Sequence, residues 1–142
     1  MTYIYSAVVQ AAFTANTDSL AIEITAPAST TVKIRRIRVM HDDGTSINSP
    51  IINDYYRKVK IVTESVAGSG GNTYTPIQWD QNDPAAVSTV KTGAFSVGTI
   101  DQTIDINSQH ATTDFLWQAR DEEDKIIVLP NGIFGVIINP AN

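Results

Sequence analysis

Apolar and polar residues alternate at every second position through most of the chain, and turn-forming residues interrupt the alternation every few residues. Little recurs at helical spacing. A period of two is the mark of strands with one buried face, so the pattern predicts an all-β fold. From Tyr3 to Phe13 the odd positions are Tyr3, Tyr5, Ala7, Val9, Ala11 and Phe13, all apolar or aromatic. The even positions mix Ser6 and Gln10 with Ile4, Val8 and Ala12. A strand of this kind buries one face well and the other partly, as it would between a core and a neighbouring molecule. Tyr3, Tyr5, Val9 and Phe13 are therefore candidate oligomer-interface residues. Leu20, Ile22 and Ile24 mark a second strand that stops at Pro27.

Farther along, Val32 and Ile34 lie on one parity and Ile37 and Val39 on the other. A strict strand would turn one of these pairs to solvent. One extra residue at Arg35-Arg36 returns both to the core, which predicts a β-bulge there. His41-Asp42-Asp43-Gly44 closes the segment with turn chemistry. Tyr55 to Thr63 reads as a strand with Val59 and Ile61 inward and Lys58 and Lys60 outward, and Ala67 to Asn72 as a flexible, exposed loop. Asp83-Pro84-Ala85-Ala86 has the chemistry of a helix start, a capping Asp followed by Pro at the first helical position. It predicts one or two turns before Thr89.

Later strands are expected around Phe95–Val97, Thr103–Ile106, Phe115–Ala119, Lys125–Leu129 and Ile133–Ile138. Pro130-Asn131-Gly132 predicts a tight hairpin between the last two. The unbroken apolar run Ile126 to Leu129 predicts a strand covered on both faces. Roughly eight to ten strands at these spacings fit a single-domain, two-sheet β-sandwich of jelly-roll type with at most one short helix.

Composition narrows the function classes. The chain has 142 residues, 18% of them charged, with a formal net charge of −5. That length buries a core without staples. An acidic chain is poorly suited to releasing counterions from phosphates, so nucleic acid is not an expected partner. With no cysteine, disulfides, thiolate nucleophiles and sulfur-ligated metals drop out. The uncharged start Met1-Thr2-Tyr3-Ile4-Tyr5 does not read as a signal peptide. No apolar run reaches the roughly 18 residues of a membrane-spanning helix, and a soluble protein is expected.

No catalytic or metal motif is assembled in the sequence. His41 and His110 sit in polar turns near Asp42, Asp43 and Asp114, without the fixed three-ligand spacing of a zinc site. Asp80-Gln81-Asn82-Asp83 resembles the opening of a calcium loop, but Ala85 and Lys91 stand where an EF-hand needs Gly and Glu. An Asx-rich turn explains it better. Asp121-Glu122-Glu123-Asp124 reads as a charged loop tip rather than as two carboxyl groups facing across a cleft. Tyr55, Tyr56, Tyr74, Trp79 and Trp117 would make a stacking platform for sugars if exposed, but such aromatics more often serve burial. Six of the ten basic residues are Arg35, Arg36, Arg38, Arg57, Lys58 and Lys60. With the bulge in place, Arg36, Arg38, Lys58 and Lys60 face outward. They are candidates for docking onto an acidic protein surface; the alternative is an ordinary solvated sheet face.

Three stretches carry a resemblance. They are Thr31-Val32-Lys33-Ile34-Arg35-Arg36-Ile37-Arg38-Val39 with its Asp/Gly/Thr turn; Ala67-Gly68-Ser69-Gly70-Gly71 with Thr75-Pro76 and Asp80 to Ala86; and Ile133 to Ala141, ending Asn139-Pro140-Ala141. Together they resemble the auxiliary decoration or cement proteins of tailed-bacteriophage particles, over roughly Val32 to the C-terminus. The resemblance implies a jelly-roll-like sandwich, no catalysis and no cofactor. It also implies self-association as a homotrimer on the outside of a virion, against the major capsid protein or another virion protein. It transfers no residue roles, and fits a tail or fibre component too. A carbohydrate-binding module is the alternative from another class, and a glycosidase or lyase ranks last.

Overall fold

The structure, a computed structural model, describes residues 3–40, 56–110 and 113–140, the side chain of His110 excepted. Among these residues there are twelve strands and no helix. They are β1 (Tyr5–Ser6), β2 (Ser19–Thr25), β3 (Val32–Ile34), β4 (Arg36–Val39), β5 (Tyr56–Val66) and β6 (Asn72–Tyr74). Then follow β7 (Ile77–Gln78), β8 (Thr89–Ser96), β9 (Thr99–His110), β10 (Phe115–Gln118), β11 (Ile126–Val128) and β12 (Ile133–Pro140).

Six strands form one antiparallel sheet in the order β6-β8-β2-β12-β5-β9. Its axis is β12, paired on one side with β2 and on the other with β5. The near-continuous apolar sequence Ile133 to Ile138 suits that place, because the strand is covered on both faces. Phe134 and Val136 point to one side and Ile137 to the other. On the first side lies a second layer of two short ladders, β3 with β11 and β4 with β10. Ile34, Ile37, Phe115 and Val128 from this layer meet Val59, Ile61, Phe134 and Val136 from the sheet. Each such fully buried side chain contributes roughly 1.5–3 kcal/mol. The result is a β-sandwich with unequal layers.

The opposite side of the large sheet has its own smaller cluster of Leu20, Val62, Phe95 and Ile137, with Val97 against it. The 67–71 loop folds over this cluster. Gly71 rests on the Phe95 ring, where an added Cβ would lie 2.9 Å from a ring carbon, and its φ of 78° suits glycine.

The parity switch expected at Arg35-Arg36 is present. The ladder breaks at Arg35, Ile34 and Ile37 are both buried, and both arginines are exposed. The device is not the expected β-bulge: β3 and β4 take different partner strands, β11 and β10, and the 119–125 excursion between those partners lies opposite the single residue Arg35. The Ala119 N–H donates to the Arg35 carbonyl at the break.

Other expectations need correction. Only Tyr5–Ser6 of the Tyr3–Phe13 segment enters a ladder, with β7. No helix follows Asp83: the Asp83 and Pro84 carbonyls accept from Gln78 Nε2 and from the Tyr5 hydroxyl. With Thr89 and Val90 already starting β8, too few residues remain to nucleate a helix. Asn131 does adopt a φ of 62°, and the Gly132 N–H closes a turn onto the Leu129 carbonyl. That turn makes no hairpin, however. It passes the chain between layers, since β11 pairs with β3 whereas β12 pairs with β2 and β5. Ile127 is 53% exposed, so β11 is covered on one face alone. The 67–72 loop is not uniformly exposed, because Gly68 is buried and Ser69 bridges to Ser96. The turn at His41 to Gly44, and Tyr55, lie outside the described residues.

Candidate functional site

The four basic docking candidates fall into two groups on opposite sides of the core. Arg36 and Arg38 alternate with the buried Ile37 on β4, so they point outward from the small layer. Lys58 and Lys60 alternate with the buried Val59 and Ile61 on β5, so they point outward from the far face of the large sheet. Two of the four are engaged within the chain. Arg38 lies 3.4 Å from Asp114, and Lys60 donates to Asp18 at 2.7 Å, while Asn139 donates to the other oxygen of the same carboxylate. Burial pushes the Asp18 carboxyl upward, but the hydrogen bonds from Lys60 and Asn139 outweigh it and hold Asp18 below the usual carboxylate range. Arg57 is buried and donates to the Thr113 carbonyl at 2.8 Å, so it serves the fold.

In the N-terminal segment, Tyr5, Val9 and Phe13 are half-buried against their own chain, while Tyr3 and Val8 are exposed. The two tryptophans have different surroundings. Trp117 packs against the main core, whereas Trp79 is 60% exposed. The acidic tip Asp121–Asp124 is a solvated turn held by backbone N–H donation to Asp121. The Asp80 side chain caps Asn82 in an Asx turn. Among the described residues no three His, Asp or Glu side chains converge to hold a metal ion.

Two features escape the sequence reading. The first is an edge. β9 has 12 residues and, among the described residues, ends the large sheet. Ile100, Ile104 and Ile106 are exposed on it, as are Asp101 and Asp105. None of the described β9 side chains belongs to either apolar cluster, so neither face of this strand packs into the core. The second is a pair of buried acids, Glu23 on β2 and Glu64 on β5, 2% and 5% exposed. Both strands flank β12, and Gly135 sits between the two acids. Glu23 Oε2 accepts the Gly68 N–H at 2.6 Å, and Glu64 Oε1 accepts the Gly98 N–H at 2.9 Å. Burial first, then a hydrogen bond with Glu23, push the Glu64 carboxyl up to about 7 from an ordinary 4.5. One signal was visible: a glycine inside an apolar strand marks a close approach. What approaches it depends on non-local pairing, which Gly135 alone does not specify.

Comparison of the chain with protein-family models, with curated proteins and with solved structures gives no match.

Proposed function

We propose that the protein is a non-enzymatic structural component of a virus particle, decorating or cementing a tailed-phage capsid as a homo-oligomer. The observation that carries the reading is β9. A long edge strand with exposed isoleucines is a template for further pairing, and proteins that stay apart normally shorten, charge or cover such edges. The occupant we assign is a second copy of the chain. β9 carries two exposed aspartates and no lysine or arginine, whereas Arg35 and Arg36 are exposed at the break between β3 and β4, beside Lys33 and Arg38, which Glu122 and Asp114 hold at 3.5 and 3.4 Å. These unlike surfaces on one molecule are complementary in charge. Contacts between unlike patches run head to tail, and where the rotation between copies closes they form rings, of which a trimer is one. On the far face Lys60 is held by Asp18 at 2.7 Å, and the exposed Lys58 beside it is left to meet an acidic virion protein.

The test is mass photometry or analytical ultracentrifugation at micromolar concentration, alongside co-sedimentation with capsids assembled from the major capsid protein encoded nearest the gene. A discrete oligomer is expected, reduced to monomer by Ile104→Lys with Ile106→Lys, together with capsid binding that weakens as salt screens the exposed charges. A wild-type monomer that ignores capsids would overturn the proposal. The exposed Trp79 favours one second reading, a carbohydrate-binding module. Binding to a defined glycan, lost in a folded Trp79→Ala variant, would replace the virion reading.

A further inference from the structure

The acid pair joins parts of the chain far apart in sequence. Gly135 on β12 stands opposite Glu23 on one side and Val62 on the other. A Cβ at Gly135 would lie 3.6 Å from Glu64 Oε2 and 2.7 Å from Leu20 Cδ2. The bare backbone there gives the Glu64 carboxyl room to lean across β12 toward Glu23. Each acid reaches a different covering segment, Glu23 the 67–71 loop through Gly68 and Glu64 the Val97-Gly98 turn through Gly98. The two segments also interlock, because Ser69 and Ser96 exchange backbone hydrogen bonds. A Cβ at Gly98 would fall 1.9 Å from the Val66 carbonyl oxygen.

Charge at this site does not balance if both acids are ionised. β8 contributes Lys91, whose Nζ lies 4.0 Å from Glu23 Oε1. β12 offers only Gly135, and the β9 residue paired with Glu64 is Ile100. The two covering segments, Ala67 to Gly71 and Val97-Gly98, hold no charged residue. Two carboxylates would thus face one ammonium. Glu64 Oε2 would also be buried without a hydrogen-bond partner, a costly state for a charged oxygen. One proton between the acids cures both faults: it gives that oxygen a partner and leaves one negative charge facing Lys91.

We infer that Glu64 holds a proton that it donates to Glu23 across Gly135, and that the pair acts as a pH-sensitive clasp, closing the 67–71 loop and the Val97-Gly98 turn over the Leu20–Phe95–Ile137 cluster. Loss of the proton places two like charges side by side in a buried site, and the cheapest relief is for the covering segments to lift and admit water. The elevated Glu64 value sets the opening near neutrality.

The experiment is amide hydrogen exchange at Gly68 and Gly98, followed by NMR from pH 5 to pH 9 and corrected for intrinsic base catalysis. Protection in the wild type is expected to fall at least tenfold on passing pH 7, while the β12 amides keep theirs. Glu64→Gln, which keeps a hydrogen-bond donor toward Glu23 but cannot ionise, should hold protection flat across the range. Flat wild-type protection, or a Glu64→Gln profile matching the wild type, would overturn the clasp. Should Glu64→Gln fail to fold, carbon-13 titration of the wild-type glutamate carboxyls decides instead. A Glu64 midpoint near 7 supports the held proton, and a Glu64 midpoint below 6 removes it.

Discussion

Gly135→Ala adds one methyl group at the centre of the large sheet, and its effect tests how tightly β12 is held. The φ of Gly135 is not positive, so the backbone itself accepts alanine. Restricting the unfolded chain would then favour the variant by about 0.4–1 kcal/mol. Against this, the new Cβ would sit 2.7 Å from Leu20 Cδ2 and 3.4 Å from Val62 Cγ2. Both side chains are fully buried and have nowhere to swing. Overpacking of this kind costs about 1–3 kcal/mol, so a net loss of roughly 1–2 kcal/mol is expected. At about 3 °C per kcal/mol for a chain of this size, Tm should fall by several degrees. The sharper measurement is a double-mutant cycle by urea unfolding. Leu20→Ala alone leaves a cavity and should cost about 2–5 kcal/mol. In the Gly135→Ala background the added methyl occupies part of that cavity, so the two changes should couple favourably by about 1 kcal/mol or more. Additivity within about 0.5 kcal/mol would refute the packing of Leu20 over Gly135, and with it the account of why this strand carries a glycine.

Two further outcomes are expected. Trp79→Ala should change stability by no more than about 0.5 kcal/mol, the usual range for an exposed position. Trp117→Ala, removing a half-buried ring from the main core, should cost about 1–3 kcal/mol, less than the cost of truncating a fully buried aromatic; thermal melts of the two variants check the contrast. Global stability should fall as pH rises from about 4.5 to about 7, because in that window the unfolded chain has released the Glu64 proton and the folded chain still holds it. The full shift corresponds to about 3 kcal/mol at 1.36 kcal/mol per pH unit. Lifting of the covering segments as the pair ionises relieves part of this, leaving roughly 1–2 kcal/mol, and urea titrations at pH 4.5 and pH 7.5 measure it.

What the sequence makes legible is local. Period-two alternation identifies most of the strands, and the parity switch between Ile34 and Ile37 marks the break at Arg35 because burial on one face forces it. Asn131 reads as a positive-φ residue and adopts one. The failures are non-local. Asp83-Pro84 carries helix-start chemistry, yet its carbonyls are taken by Tyr5 and Gln78, donors that no window around residue 83 identifies as partners. The turn at Asn131 looks like a hairpin, but the partners of β12 lie in β2 and β5. The four basic candidates share an outward orientation on their strands, but outward means opposite directions in two different layers. Glu23 reads as the polar side of an ordinary half-buried strand. Only when the 67–71 loop covers that side does it become one of the most buried residues in the molecule.

The acid pair and the exposed edge occupy the same part of the sheet. Glu64 pairs with Ile100 near the start of β9, and the β5–β9 ladder shifts register on both sides of Glu64, between Thr63 and Glu64 and between Glu64 and Val66. A ladder broken twice around one residue has fewer regular hydrogen bonds holding it there, so local opening costs least at this end. The Val97-Gly98 turn that the clasp secures leads directly into β9 at Thr99. Three interactions thus fix the start of the exposed edge: the Glu64 contact with the Gly98 N–H, the interlock of the turn with the 66–69 segment, and the Ser65 hydroxyl donating to the Thr99 carbonyl. The other end of β9 is anchored by its pairing through Lys58 and Val59, where no shift occurs. The edge is consequently graded along its length, firm toward Asn107 and dependent on a proton toward Thr99. The physical logic lies in the buried acids. A carboxyl pair costs more to bury than an apolar pair of the same size, and what it adds is sensitivity to pH at the segment that presents the exposed strand.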